Sequence, residues 1–238
     1  MPDVTPTGET PVPVDVKQPL RSQYAQQRDT LRYVWDDLKA QRAFGIEWVL
    51  RLFLVSVQFL YPALLIRTFF GKFGFFYERV AVEIYVLAKL SFYGLALAFH
   101  GFENIWITGL VIYLLSETVF YLMGMIFLAD ASAPPVSWRR SVLLLLLNYV
   151  EITLAFAVLY LAVRPAAETT SGPFRGVFFS FVTSAGIGVG PIYTTTTAGQ
   201  IIKVCQICVM VIFLILIAQY VTNSLEALKR PSEVEKPH

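Results

Sequence analysis

A chain that enters a lipid bilayer must satisfy its backbone N–H and C=O groups from within, so its apolar stretches can form little but helices. This sequence has five such stretches: segment A over 44–70, B over 80–99, C over 104–128, D over 141–163 and E over 200–224. Segments B to E each reach the roughly twenty residues that cross a hydrocarbon core of about 30 Å. Composition agrees, because the 238 residues are 56% hydrophobic and 15% charged, whereas soluble domains carry about 25% charged residues. Mean hydropathy is +0.59. The fold class is therefore an all-α integral membrane protein.

Outside the apolar stretches little sequence remains. Residues 1–19 are rich in Pro, Thr and Val, lack the basic-then-apolar pattern of a signal peptide, and are expected to form a disordered tail. Over 20–42, Tyr24, Leu31, Val34, Trp35 and Leu38 recur near helical spacing against a mixed-charge face. That pattern predicts an amphipathic cytoplasmic helix on the membrane surface or against a partner subunit. Residues 43–70 carry Glu47, Arg51, Pro62 and Arg67, and their clean apolar core, 52–66, is short of a span. An interfacial or re-entrant helix is expected there, with an extra span as the alternative. Segments B and C, joined by the tight link 100–103, form a helical hairpin over 79–128, and the polar end at 226–238 reads as a second disordered tail.

Lysine and arginine in the short loops set the orientation. Lys17, Arg21, Arg28, Arg32, Lys39 and Arg42 precede segment A; Arg67, Lys72 and Arg79 flank the A–B link; Arg139 and Arg140 precede D; Lys229 and Arg230 follow E. The B–C link has none. The expectation is a multi-pass protein of a plasma or inner membrane with both termini cytoplasmic, provided segment A does not cross.

Between D and E lies a glycine-rich run. Phe178, Phe179, Thr183 and Ser184 lead into Gly186-Ile187-Gly188-Val189-Gly190-Pro191, and Thr196, Thr197 and Gly199 open the next apolar helix. Glycine enters at little cost the backbone dihedrals that a ladder of inward carbonyls requires. The order of helix, short helix, glycine run and helix resembles the pore of the potassium-channel superfamily. Val182 and Thr183 fit the start of its filter motif, and Thr196, Thr197 and Gly199 fit its T-T-x-G. The resemblance implies a pore module over 139–225, with outer helix 140–163, pore helix 173–184, filter 186–190 and inner helix 199–225. It implies Gly186, Ile187, Gly188, Val189 and Gly190 as the conduction filter, supported by Phe178, Phe179, Thr183, Ser184, Pro191 and Lys203. It also implies a homotetramer, because a ring of carbonyls needs several copies around one axis.

The departures from that family weaken the expected potassium preference. Gly186 stands where a threonine hydroxyl ring completes the innermost ion site, Ala185 replaces another threonine, Val189 replaces the filter tyrosine, and Pro191 the aspartate after it. Fewer ion sites than usual are expected, and Gly186→Thr should raise selectivity if the backbone there takes the family's conformation. The expected function is a tetrameric cation channel. The alternatives are a poorly selective monovalent cation channel and a non-conducting membrane scaffold or assembly subunit. Enzymatic activity is not expected, since no nucleophile–base pair, zinc spacing or nucleotide loop appears. No cofactor or resident metal is expected beyond permeating potassium or other monovalent cations. A net charge of +2 gives no footprint for nucleic acid. The partners are membrane lipid, further copies of the chain and any regulatory subunit.

Charged residues inside spans are expensive and usually paired. At about 1.5 Å per residue, Lys89, Glu117 and Glu151 fall at one depth, roughly 15 Å from the inner edge, so contact between Lys89 and a glutamate is expected. A structural tie between the hairpin and segment D is the first reading, and a gating or proton-sensing switch the second. No segment repeats arginine or lysine at every third position, as a voltage sensor would. Segment E has no glycine after Gly199, so no flexible gating point is evident. Cys205 and Cys208 read as small packing residues before a redox pair, and His100 as a plain loop residue before a pH sensor.

Overall fold

The computed structural model describes Arg28, Arg32 and residues 46–71, 75–128, 138–163, 172–187 and 196–229. The expected tail at 1–19 lies outside the described residues, as do the amphipathic helix at 20–42, apart from those two arginines, and residues 230–238. The described elements are helical: α1 Ile46–Gln58, α2 Pro62–Gly71, α3 Phe75–Ala98, a 3-10 turn Gly101–Glu103, α4 Ile105–Phe127, α5 Trp138–Ala162, α6 Pro173–Ser184 and α7 Thr197–Lys229. Four of them contain stretches long and apolar enough to cross a membrane: Val80–Ala98, Ile105–Phe127, Ser141–Ala162 and Thr197–Gln219. The protein is membrane-embedded and all-helical over these residues. One boundary differs from expectation, because α7 runs through Lys229 into residues expected to be disordered. Leu225, Glu226, Ala227, Leu228 and Lys229 are all good helix formers and continue the helix past the apolar stretch.

The hairpin of α3 and α4 closes where His100 takes a left-handed conformation, φ 55°. Asn104 then caps α4, its side chain accepting from the Trp106 N–H at 2.9 Å, which satisfies one of the free donors at a helix start. Both hairpin helices pack on α5, which also contacts α6 and α7. The centre of the core is α5 itself: Ile152, Ala155, Phe156, Ala157, Val158, Tyr160 and Leu161 are all buried. Around them lie Tyr93, Phe102, Val111 and Leu122 of the hairpin, Phe179 of α6, and Val209, Met210 and Phe213 of α7.

Segment A is a bent hairpin. α1 and α2 have 13 and 10 residues, about 20 and 15 Å at 1.5 Å per residue, and the chain turns between them with Pro62 as the first residue of α2, where proline lacks no needed donor. The turn sits beside the middle of α4. The Tyr113 hydroxyl donates to the Leu60 carbonyl at 3.0 Å, Tyr61 and Ser116 share a hydroxyl hydrogen bond of 3.0 Å, and the Ala63 N–H donates to Glu117 Oε1 at 3.0 Å. From that turn, α1 lies along the C-terminal half of α4, where Leu54 and Val55 cluster with Leu128, Met123 and Phe127. α2 returns along α3 toward its start. The outward face of the hairpin is apolar, with Ile46 87% and Leu60 74% exposed, as suits lipid contact.

If the hairpin dips into one leaflet and returns, its two ends lie on the same side of the membrane. Cysteines introduced as Ile46→Cys and Gly71→Cys, in a chain whose Cys205 and Cys208 are serine, should react with an impermeant thiol reagent from one and the same side of sealed vesicles. Labelling from opposite sides would show a span.

Candidate functional site

Two polar junctions interrupt the apolar core, and both hang on α5. The first joins α5 to the hairpin. Lys89 Nζ of α3 lies 2.8 Å from Glu151 Oε1 of α5 and 3.8 Å from Glu117 Oε2 of α4. Lys89 is 7% exposed, Glu117 4% and Glu151 0%. Thr118 binds the pair together: its hydroxyl accepts from Lys89 Nζ at 2.8 Å and donates to Glu151 Oε1 at 2.6 Å. Glu117 is held separately, by the Tyr85 hydroxyl at 2.5 Å and the Ala63 N–H. The Lys89 ammonium also sits 5.0 Å from the centre of the Tyr85 ring, a cation–π distance. Residues far apart in sequence thus meet at one depth. α2 joins them through the start of its backbone, where free N–H groups favour an anion.

The second junction joins α5, α6 and α7 through Gln206. Its Oε1 accepts from the Tyr160 hydroxyl at 2.8 Å. Its Nε2 donates to the Ser180 carbonyl at 2.9 Å, Ser180 Oγ at 3.0 Å and Ser184 Oγ at 2.7 Å. Ser180 Oγ in turn donates to the Thr153 carbonyl at 2.7 Å. Apolar contact reinforces the network, with the Tyr160 and Phe179 rings edge to face at 4.7 Å. Gly176 lets α6 approach this closely, since a Cβ there would fall 2.7 Å from Leu161 Cγ and 3.2 Å from the Ala157 carbonyl oxygen.

α6 ends at the glycine run with a recognisable cap. Ala185 is followed by Gly186 at φ 72°. The Gly186 N–H donates to the Thr183 carbonyl at 3.1 Å and the Ile187 N–H to the Val182 carbonyl at 3.2 Å. That pair of bonds around a left-handed glycine is the Schellman arrangement. At Gly186 the lack of a side chain serves helix termination. The condition attached to Gly186→Thr fails, because β-branched residues are strained at positive φ even though a Cβ would meet nothing within 4 Å. Ile187 follows, 74% exposed, and Gly188, Val189, Gly190 and Pro191 lie outside the described residues.

The expected support residues divide. Phe179 and Thr183 are buried, Ser184 belongs to the Gln206 network, and Phe178 is about half exposed. Lys203 reaches α6, its Nζ 5.8 Å from the Phe179 ring centre. Cys205 and Cys208 are exposed free thiols on α7. Tyr85, Thr118, Tyr160, Ser180 and Gln206 carry these junctions without having been singled out from sequence. Gln206, alone in the apolar middle of segment E, offered a signal, since an isolated amide in a span needs partners. Nothing in the sequence paired Tyr85 with Glu117. Compared with protein-family models, curated proteins and solved structures, the chain matches none.

Lys89→Met removes the only cation this cluster has among the described residues and leaves two buried carboxylates facing each other. The loss of one partner from a buried pair is typically worth about 3–5 kcal/mol, so a large fall in thermal stability in detergent is expected, and the double variant with Glu151→Gln should recover part of it. At the cap, Gly186→Thr should destabilise by about 1–2 kcal/mol and should not improve ion discrimination, which reversal potentials would reveal if wrong.

Proposed function

We propose that this chain is the subunit of a homotetrameric cation channel with a potassium-channel-like pore, conducting passively through a carbonyl-lined run at 187–190. The observation that carries the reading is the placement of α6. A twelve-residue helix, too short to span, is held between two long helices by a buried network and ends directly at a glycine-rich run. The C-terminal end of a helix carries partial negative charge, so α6 directs a field favourable to cations toward that run. The exposed apolar faces of α6 (Phe174, Phe178, Phe181) and α7 (Ile201, Val204, Val211, Leu214) suit packing against further copies around an axis. In this reading α5 is the outer helix and α7 the inner one, both termini are cytoplasmic, and the protein resides in a plasma or inner membrane.

Selectivity follows from the cap. With Gly186 engaged in ending α6, a shorter ladder remains, and no threonine hydroxyl closes its inner end. Weak discrimination between potassium and sodium is the consequence. Purified protein in liposomes should pass both ions and exclude a large organic cation, with a permeability ratio within about tenfold, equivalent to about 1.4 kcal/mol. Strong sodium rejection would overturn the account of the cap. Absence of any flux from correctly inserted tetramer would leave the non-conducting assembly subunit as the function.

A further inference from the structure

A cavity of about 80 Å³ opens beside the charge cluster at the meeting of α2, α3, α4 and α5. Its polar wall is Lys89, Glu117, Thr118, Tyr85 and Asn148, and the rest is apolar, including Ala63, Val82 and Leu144. One water needs roughly 10–15 Å³ of such cavity space, so there is room for a small ion together with several waters.

Two independent observations call for an occupant. The first is charge. Among the described residues one ammonium faces two carboxylates, which leaves one negative charge in excess at membrane depth, where an uncompensated ion is very costly. The distances divide the cluster unequally: Lys89 Nζ is 2.8 Å from Glu151 but 3.8 Å from Glu117. Glu117 is therefore the carboxylate farther from the ammonium, its oxygens held by the Ala63 N–H and the Tyr85 hydroxyl, and it is the glutamate that lines the cavity. The second observation is Asn148. It is 7% exposed, lines the same cavity, and its side chain makes no hydrogen bond to any described residue. A buried amide left without partners normally has water or a ligand against it.

We propose that this cavity is a binding site for one monovalent cation, held between the Glu117 carboxylate and the Asn148 amide oxygen, away from the ion path through the glycine run. The other groups facing it are consistent with a single positive charge. Tyr85 and Tyr121 are phenols, Thr118 is engaged with Lys89 and Glu151, and Tyr93 lies on the Glu151 side. The Lys89 ammonium is drawn to Glu151 and its repulsion limits the site to one charge. A cation here ties α2, whose Ala63 N–H also holds Glu117, to α5.

Thermal unfolding of the full chain in detergent tests this, with wild type, Glu117→Gln and Asn148→Leu compared in parallel. Glu117→Gln removes the excess charge yet keeps an acceptor for Ala63, so it should fold. Replacing an organic cation by sodium or potassium at constant ionic strength should raise the wild-type midpoint by several degrees and saturate, as binding to the native state requires. Glu117→Gln should lose that rise, and Asn148→Leu should need several-fold more salt to reach it. A response equal in wild type and Glu117→Gln belongs to other sites and overturns the proposal, as does the lack of any response to sodium or potassium. The outcome does not depend on conduction.

Discussion

The ion pair between Lys89 and Glu151 sets the terms for the rest of the structure. Each charge taken from water into a protein interior costs several kcal/mol even after relaxation. The cost is offset only where geometry is good and the remaining hydrogen-bonding capacity is used. Here Thr118 bridges the two ions and Tyr85 attends to the third group. The consequence is register. A slide of α3 or α4 by one turn, about 5.4 Å, would strand a charge in the core, so the hairpin has one permitted height against α5. Apolar packing alone would penalise such a slide far less, because leucine and valine faces of a span are nearly interchangeable.

The Gln206 junction applies the same logic to α6. A short helix held between two longer ones does not reach across the membrane to fix its own depth, and its free backbone ends need protein partners. Gln206 supplies three hydrogen bonds from one amide, Tyr160 and Ser180 complete them, and Gly176 removes the side chain that would hold α6 away. The two junctions share α5, at Glu151 and Tyr160, nine residues and about 14 Å apart along the axis. Between them α5 is buried almost without interruption. A displacement of the hairpin therefore moves the helix that positions α6, through rigid backbone and packed side chains.

Segment A shows how the two levels of description differ. Its proline, charges and short apolar core argued against a span without ruling it out, and the physical reasons were local: proline breaks a helix interior and about fifteen apolar residues fall short of 30 Å. That the chain bends back at the middle of α4 was not legible, because it depends on Tyr113, Ser116 and Glu117 of another helix offering partners to the turn.

Hydropathy by itself determined the four long helices and the hairpin, because length and apolarity act along a single segment, whereas the short helix before the glycine run came from the resemblance. Counting residues from the loop ends also placed Lys89, Glu117 and Glu151 at one depth, since helical rise is constant. Depth says nothing of azimuth. Which carboxylate takes the ammonium, that Thr118 stands between them, and that Asn148 faces a cavity were decided by how α2 to α5 rotate about their own axes. Gly186 shows the same limit from the other side. A glycine after a helix suits both a carbonyl ladder and a cap, and only the path of the backbone, with φ at 72° and the Ile187 N–H on the Val182 carbonyl, revealed the cap. Periodicity belongs to one helix at a time, whereas partnership between polar groups belongs to the packing of several.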